Sequence, residues 1–137
     1  MYACGPTVYW FAHIGNMRAF LFADILRRTL MYNGLNVTFI MNITDVGHLT
    51  DDADDGEDKM LVALRREGKT AYEIAQAYID AFLEDSQKLN ILQADEYHRA
   101  TQHIEAQIEM IKEIERNGFA YTTTDGVYFD TSKLPDY

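Results

Sequence analysis

The sequence predicts an α/β fold: a strand–helix–strand unit with parallel strands, then a mainly helical region and a terminal hairpin. Three observations predict it. An apolar start, Met1-Tyr2-Ala3-Cys4, runs into Gly5-Pro6. A proline-free stretch of helix formers follows from His13 to Asn33, and after it comes the β-branched and aromatic run Val37-Thr38-Phe39-Ile40-Met41. Strand, helix and strand within about forty residues make a βαβ unit.

The first strand is expected to be buried and to end at the Gly5-Pro6 loop. In the helix after it, apolar residues cover most of the circumference, which predicts burial on more than one side. Gly34 stands where a left-handed C-cap residue is wanted. A continuous apolar run such as 37–41 predicts a strand covered on both faces. Beyond Asn42 the texture changes. Residues 51–58, Asp-Asp-Ala-Asp-Asp-Gly-Glu-Asp, place six carboxylates in eight positions, which predicts a solvated loop. A helix is expected from about Asp58 to Glu67, closed by Gly68. Thr70 with Glu73 forms a capping-box pattern opening a helix to about Leu89. A third helix is predicted from Asp95 to Asn117, with Ile104, Ile108, Ile111 and Ile114 as a core-facing stripe and Gly118 as its stop. Asp125-Gly126, between Phe119–Thr122 and Val127–Phe129, is a hairpin signal.

Composition narrows the function classes. With 47% hydrophobic and 25% charged residues the 137-residue chain is globular, not disordered. Its net charge of −10 argues against a general nucleic-acid or anionic-membrane binder. The charge is uneven: residues 1–50 carry 3 basic and 2 acidic side chains, residues 51–137 carry 9 and 20. One cysteine, Cys4, excludes an intrachain disulfide and fits a reducing, cytoplasmic compartment. The most apolar stretch, 19–32, is broken by Asp24, Arg27 and Arg28, so no membrane span is predicted.

The densest chemical cluster is Cys4-Gly5-Pro6-Thr7-Val8-Tyr9 followed by His13-Ile14-Gly15-Asn16. In a βαβ unit the loop after the first strand and the helix start form an anion site, where free backbone N–H groups and the helix dipole point at a ligand. Gly15 lets a phosphate or flat ring approach the backbone, and His13 can donate to a phosphate oxygen. The acidic run does not fit a calcium loop: with Gly56 at the sixth position, Ala53 and Val62 fail at the third and twelfth. His98 and His103, five apart and so about 140° round a helix, do not form a metal-binding pair.

The cluster resembles the class I aminoacyl-tRNA synthetases, whose first signature, His-Ile-Gly-His or a variant, opens a helix after the first strand. More specifically, the order Cys4-Gly5-Pro6-Thr7-Val8-Tyr9, His13-Ile14-Gly15-Asn16, Arg18 and Asn42-Ile43-Thr44-Asp45 resembles the cysteinyl-tRNA synthetase family, with further matches at Lys88–Leu92, Arg99–Ile104 and Tyr128–Asp130. The resemblance implies the first half of a Rossmann-like (HUP-type) nucleotide-binding fold over residues 1–50. Residues 51–137 would then form an acidic loop, a helical connective insertion and the hairpin. It implies catalytic roles for His13 and Asn16, ATP contacts from Thr7, His13, Gly15 and Asn16, substrate-cysteine contacts from Gly5, Thr7 and Thr44, and zinc ligation by Cys4. ATP with magnesium, cysteine and tRNA-Cys are the implied substrates and partners, with zinc holding the substrate thiolate, a soft ligand that a hydroxyl cannot replace.

The sequence departs from that family in places. Trp10 stands where the family commonly has aspartate, and a loop aromatic there is expected to pack. Asn16 replaces the signature's last histidine, keeping a donor but no charge. Gly47–Gly56 interrupts a stretch that the family often runs without a break. The family's other zinc ligands and its lysine-rich ATP signature find no match, so the chain is expected to be an N-terminal fragment with at most weak ATP affinity and no tight zinc site. Three other readings stay open: a cysteine-activating ligase with an amino-sugar acceptor, a non-catalytic interaction module using the acidic helices, and a nucleotidyltransferase with other substrates.

Overall fold

A computed structural model of the chain describes residues 1–46 and 70–136. They divide into two compact units, Met1–Gln102 and His103–Tyr137.

The first unit holds three parallel strands in the order β1 (Tyr2–Ala3), β2 (Ile40–Ile43), β3 (Glu96–Arg99). Tyr2 pairs with Ile40, and Ile40 to Ile43 pair with Glu96 to Arg99. Helix α1 (Ile14–Tyr32) connects β1 to β2, and α2 (Ala71–Lys88) precedes β3. The expected parallel α/β architecture is therefore present. Phe39, just before β2, and Met41 are buried against both helices, and Ile43 is buried against α2. Met17, Phe20 and Ala23 of α1 meet Phe82 of α2 over Phe39 and Met41, and Ile43 packs with Val8, Ile74, Ala75, Tyr78 and Ile79. Alternate residues Ile40 and Asn42 are only half-buried, so β2 is not covered equally on both faces, and it begins three residues later than the apolar run.

Helix α1 departs further from expectation. Its buried residues are Met17, Phe20, Ala23, Asp24 and Arg27, while Ile14, Phe22, Ile25 and Leu26 are exposed. The reason is a pair of ionic ties that select the buried side. Asp24 accepts from Arg28 Nε at 2.7 Å and from the Leu92 amide at 2.9 Å. Arg27 donates to the Gln93 carbonyl at 2.6 Å and to Asp95 at 2.9 Å, and Asp95 also accepts from the Phe39 amide at 2.7 Å. These ties draw segment 90–95 against α1 and deliver residue 96 to the free edge of β2. They also explain the largest correction: 96–99 is a strand and not the first turn of a helix, because an open parallel edge supplies its backbone partners. Tyr2 is exposed and Ala3 half-buried, since β1 is an edge strand and not a buried one.

The caps follow the sequence closely. Thr70 caps α2, with its hydroxyl accepting from the Glu73 amide at 3.3 Å while the Glu73 carboxylate accepts from the Thr70 amide at 2.9 Å. Gly34, at φ 81°, follows α1 as expected. The helix expected at 58–67, the acidic loop and the Gly47–Gly56 interruption lie outside the described residues.

A 3-10 turn, Ala100–His103, closes the first unit at Gln102; the second holds α3 (Ile104–Arg116), then β4 (Ala120–Thr122) and β5 (Val127–Phe129). The hairpin is antiparallel as predicted, with Tyr121 opposite Tyr128. Asp125 ties its loop by accepting from Thr123 Oγ1 at 2.5 Å and Tyr128 Oη at 2.8 Å. The isoleucine stripe is not core: Ile104, Ile108 and Ile111 are exposed and only Ile114 is half-buried. One short helix and a two-stranded hairpin bury too little surface to cover it.

Candidate functional site

All three parallel strands deliver their carboxyl ends to one side of the sheet, the side where open α/β sheets bind ligands. β1 runs into Gly5–Val8, β2 into Thr44 and Asp45, and β3 into Ala100–Gln102. An isolated parallel bridge joins Thr7 to Thr44. The Val8 amide donates to the Thr44 carbonyl at 3.1 Å, and the Thr44 amide donates to the Pro6 carbonyl at 3.0 Å.

A cavity of about 230 Å³ opens beside this bridge. Gly5, Thr7, His13 and Asn16 line its polar side, and Trp10 and Phe11 wall it with aromatic surface. Four of the residues expected from sequence therefore converge, although Gly5 and Asn16 lie on either side of a loop. Thr44 stands behind Thr7 through the bridge, Gly15 lies in the first turn of α1, and Cys4 is exposed just beyond β1. Trp10 packs as expected: its ring centroid is 5.6 Å from Phe11 and 5.9 Å from Tyr78.

Local chemistry fixes the helix start. His13 is the N-cap of α1, its Nδ1 accepting from the Gly15 amide at 3.0 Å. Asn16 completes a reciprocal cap, its Oδ1 accepting from the His13 amide at 3.0 Å. With Nδ1 an acceptor, the proton of the neutral ring is on Nε2, and Asn16 keeps its amide nitrogen. The site thus presents N–H donors at the positive end of a 19-residue helix. A Cβ on Gly15 would press on the His13 ring, at 2.7 Å from Cε1. At Gly5 the constraint is harder: a Cβ would collide with the Asn42 carbonyl oxygen and lie 2.7 Å from Met41 Cγ.

Sequence reasoning missed the residue that organises this floor. Asn42 Oδ1 accepts from the Gly5 amide at 3.0 Å and from Tyr2 Oη at 2.9 Å, while its Nδ2 donates to Thr44 Oγ1 at 3.2 Å. The available signal was a polar residue closing an apolar strand. Asp45, 7% exposed, accepts from the Thr101 amide at 3.0 Å and from Thr101 Oγ1 at 2.6 Å. His98 sits on β3 against Glu96 at 2.8 Å and takes no part in the cavity.

Among the described residues no three His, Cys, Asp or Glu side chains gather as a metal site. Zinc takes three or four protein ligands, so this donor set, with one exposed thiol, does not fit zinc by itself.

A family profile described as the tRNA synthetases class I (C) catalytic domain matches residues 1–137. The chain belongs to this family. Among curated class I synthetases, Cysteine–tRNA ligase 1 of Burkholderia lata is 54% identical over 137 residues, which are 100% of this chain and 29% of that one. Cysteine–tRNA ligases of Treponema denticola and Zymomonas mobilis are 51% and 49% identical over the same length, covering 28% and 27% of theirs. The chain therefore spans less than a third of the curated relatives it matches. A crystal structure of a Campylobacter jejuni protein, provisionally described as an arginyl tRNA synthetase, superposes with a TM-score of 0.67 at 12% identity, over 98% of this chain and 38% of that one. That likeness concerns fold alone and agrees with a Rossmann-like class I catalytic domain. Among the described residues no helix is long and apolar enough to cross a membrane.

Proposed function

We propose that the chain carries the ATP- and amino-acid-binding face of a cysteine–tRNA ligase, which activates cysteine with ATP and passes the cysteinyl group to tRNA-Cys. Residues 1–50 would supply the strand–helix–strand half of the catalytic fold, and 51–137 the connective insertion. One observation carries this: His13 and Asn16, capping α1, share a cavity with Gly5 and Thr7 of the β1 loop.

In this reading the triphosphate of ATP, carrying its magnesium, lies at the α1 N-terminus. His13 Nε2–H and the Asn16 amide donate to phosphate oxygens, and Gly15 lets them approach the backbone. As the cysteine carboxylate attacks the α-phosphorus and the bond to the β-phosphate breaks, releasing pyrophosphate, charge builds on those oxygens. Donors fixed beforehand by the cap stabilise that charge without reorganising. Gly5, Thr7 and Thr44 form the amino-acid side, where Thr7 and Thr44 offer hydroxyls. Cys4 would serve as one thiolate ligand of a zinc site only where other donors join it.

The test is cysteine-dependent ATP–pyrophosphate exchange and Cys-tRNA formation by the polypeptide as its gene encodes it. His13→Ala is expected to lower exchange by about a hundredfold or more, the usual scale for one transition-state donor. Exchange that serine supports equally well, or that His13→Ala leaves unchanged, overturns the reading.

A further inference from the structure

We propose that Asp45 and Thr101 are positioning residues for the amino-acid side of the site, a role that rests on the assignment of Thr44 to substrate cysteine. Thr44 lies one residue beyond the end of β2, where the ladder has stopped. A single isolated bridge joins it to Thr7. The bridge and the Asn42 side-chain amide, which donates to Thr44 Oγ1, tie it to the β1 loop and to its own strand, and neither reaches β3; a hydroxyl presented at a fixed place needs more.

The next residue supplies a further restraint, from β3. Asp45 is buried, and both its oxygens are engaged by Thr101, at 3.0 Å from the amide and 2.6 Å from Oγ1. A buried carboxylate needs such donors, because leaving one unmade costs more than making it gains. The pair therefore locks the turn after β2 to the turn after β3, with Thr44 between that lock and the Thr7 bridge. The ATP side is held differently. The His13, Gly15 and Asn16 contacts all lie within the first turn of α1 and touch neither Asp45 nor Thr101. Loosening the clamp is thus expected to act chiefly on cysteine, and to reach ATP only through Thr7, which the bridge ties to Thr44.

Two variants test this: Thr101→Ala, which removes the hydroxyl, and Thr101→Ser, which keeps both donors. In pyrophosphate exchange by the polypeptide as encoded, Thr101→Ala should raise the cysteine KM about tenfold while the ATP KM moves less than about twofold, and Thr101→Ser should stay within about twofold on both. Equal shifts in both KM values, or none, overturn the proposal. A second measurement stands apart from catalysis: amide hydrogen exchange on the 137-residue chain. Thr101→Ala should speed exchange at Val8 and Thr44 about tenfold relative to Phe39, whose amide is held by Asp95. Uniform acceleration, or none at those two amides, sinks the clamp. Wild-type protein with no cysteine-dependent exchange but the expected amide pattern overturns the ligase reading instead, and the catalytic role of the clamp falls with it.

Discussion

The imidazole of His13 accepts the Gly15 amide through Nδ1, so the same ring that would meet ATP also caps the helix beneath it. The two duties can be separated. His13→Ala should cost about 1 kcal/mol of stability, the usual loss of an N-cap acceptor, and weaken ATP binding. His13→Asn restores a good cap and should recover the urea midpoint without recovering ATP affinity. Recovery of both would leave the ring no role at the phosphates.

Gly5 is held by collision, not by backbone freedom. A side chain there meets the Asn42 backbone, which no rotamer change can relieve. Gly5→Ala should destabilise the chain by about 3 kcal/mol, the upper range for overpacking, and shift the Asn42 and Thr44 resonances in an NMR spectrum. An unperturbed spectrum would contradict the close approach.

Helix α1 is expected to respond to mutation on one side only. Phe20 is buried with its ring 5.0 Å from that of Phe82, whereas Phe22 is exposed. Phe20→Ala should cost about 3–5 kcal/mol in urea unfolding of the chain. Phe22→Ala should stay within about 0.5 kcal/mol. Comparable losses would mean that the outer face is covered.

Acid sensitivity should trace in part to Asp95. The Phe39 amide, and after it the Arg27 guanidinium, hold its carboxyl below the ordinary carboxylate range. A depressed carboxyl adds stability that is full above its unfolded pKa and is lost as pH falls through its folded one. The urea midpoint should therefore fall as pH drops below the ordinary carboxylate range. Asp95→Asn should start lower at neutral pH and decline less steeply. Asp125 and Asp130, also depressed, by Thr123 and Ser132 hydroxyls first, leave some slope of the same sign. An unchanged slope in Asp95→Asn would remove this carboxyl as a cause.

Local chemistry was legible in the sequence, and long-range pairing was not. The Thr70–Glu73 cap, the Gly34 stop, the Asp125-Gly126 turn and the His13 helix start are contacts within a few residues, so their patterns sit side by side in the chain. Strand β3 was invisible because Glu-Tyr-His-Arg has no strand pattern of its own; it pairs because Arg27 and Asp95 bring it to an open edge. The burial of α1 on one side, against the expectation of more than one, has the same reason, since Asp24 and Arg27 are chosen by partners more than sixty residues away. The cavity was half legible. Residues 5–16 announce themselves as a block, whereas Asn42 and the Asp45–Thr101 pair act only after the sheet exists.

Parallel pairing sets a timetable for folding. The bond from the Gly5 amide spans 37 residues to Asn42, and the clamp on Asp45 spans 56 to Thr101. Hairpins close early because their partners are neighbours, while parallel strands must wait for a crossover and pay its loop-closure entropy first. Synthesis runs from the loop at residues 5–8 towards Thr101, so the support of that loop cannot be completed until Thr101 has followed. Residues made earlier in this stretch wait for later ones to hold them in place.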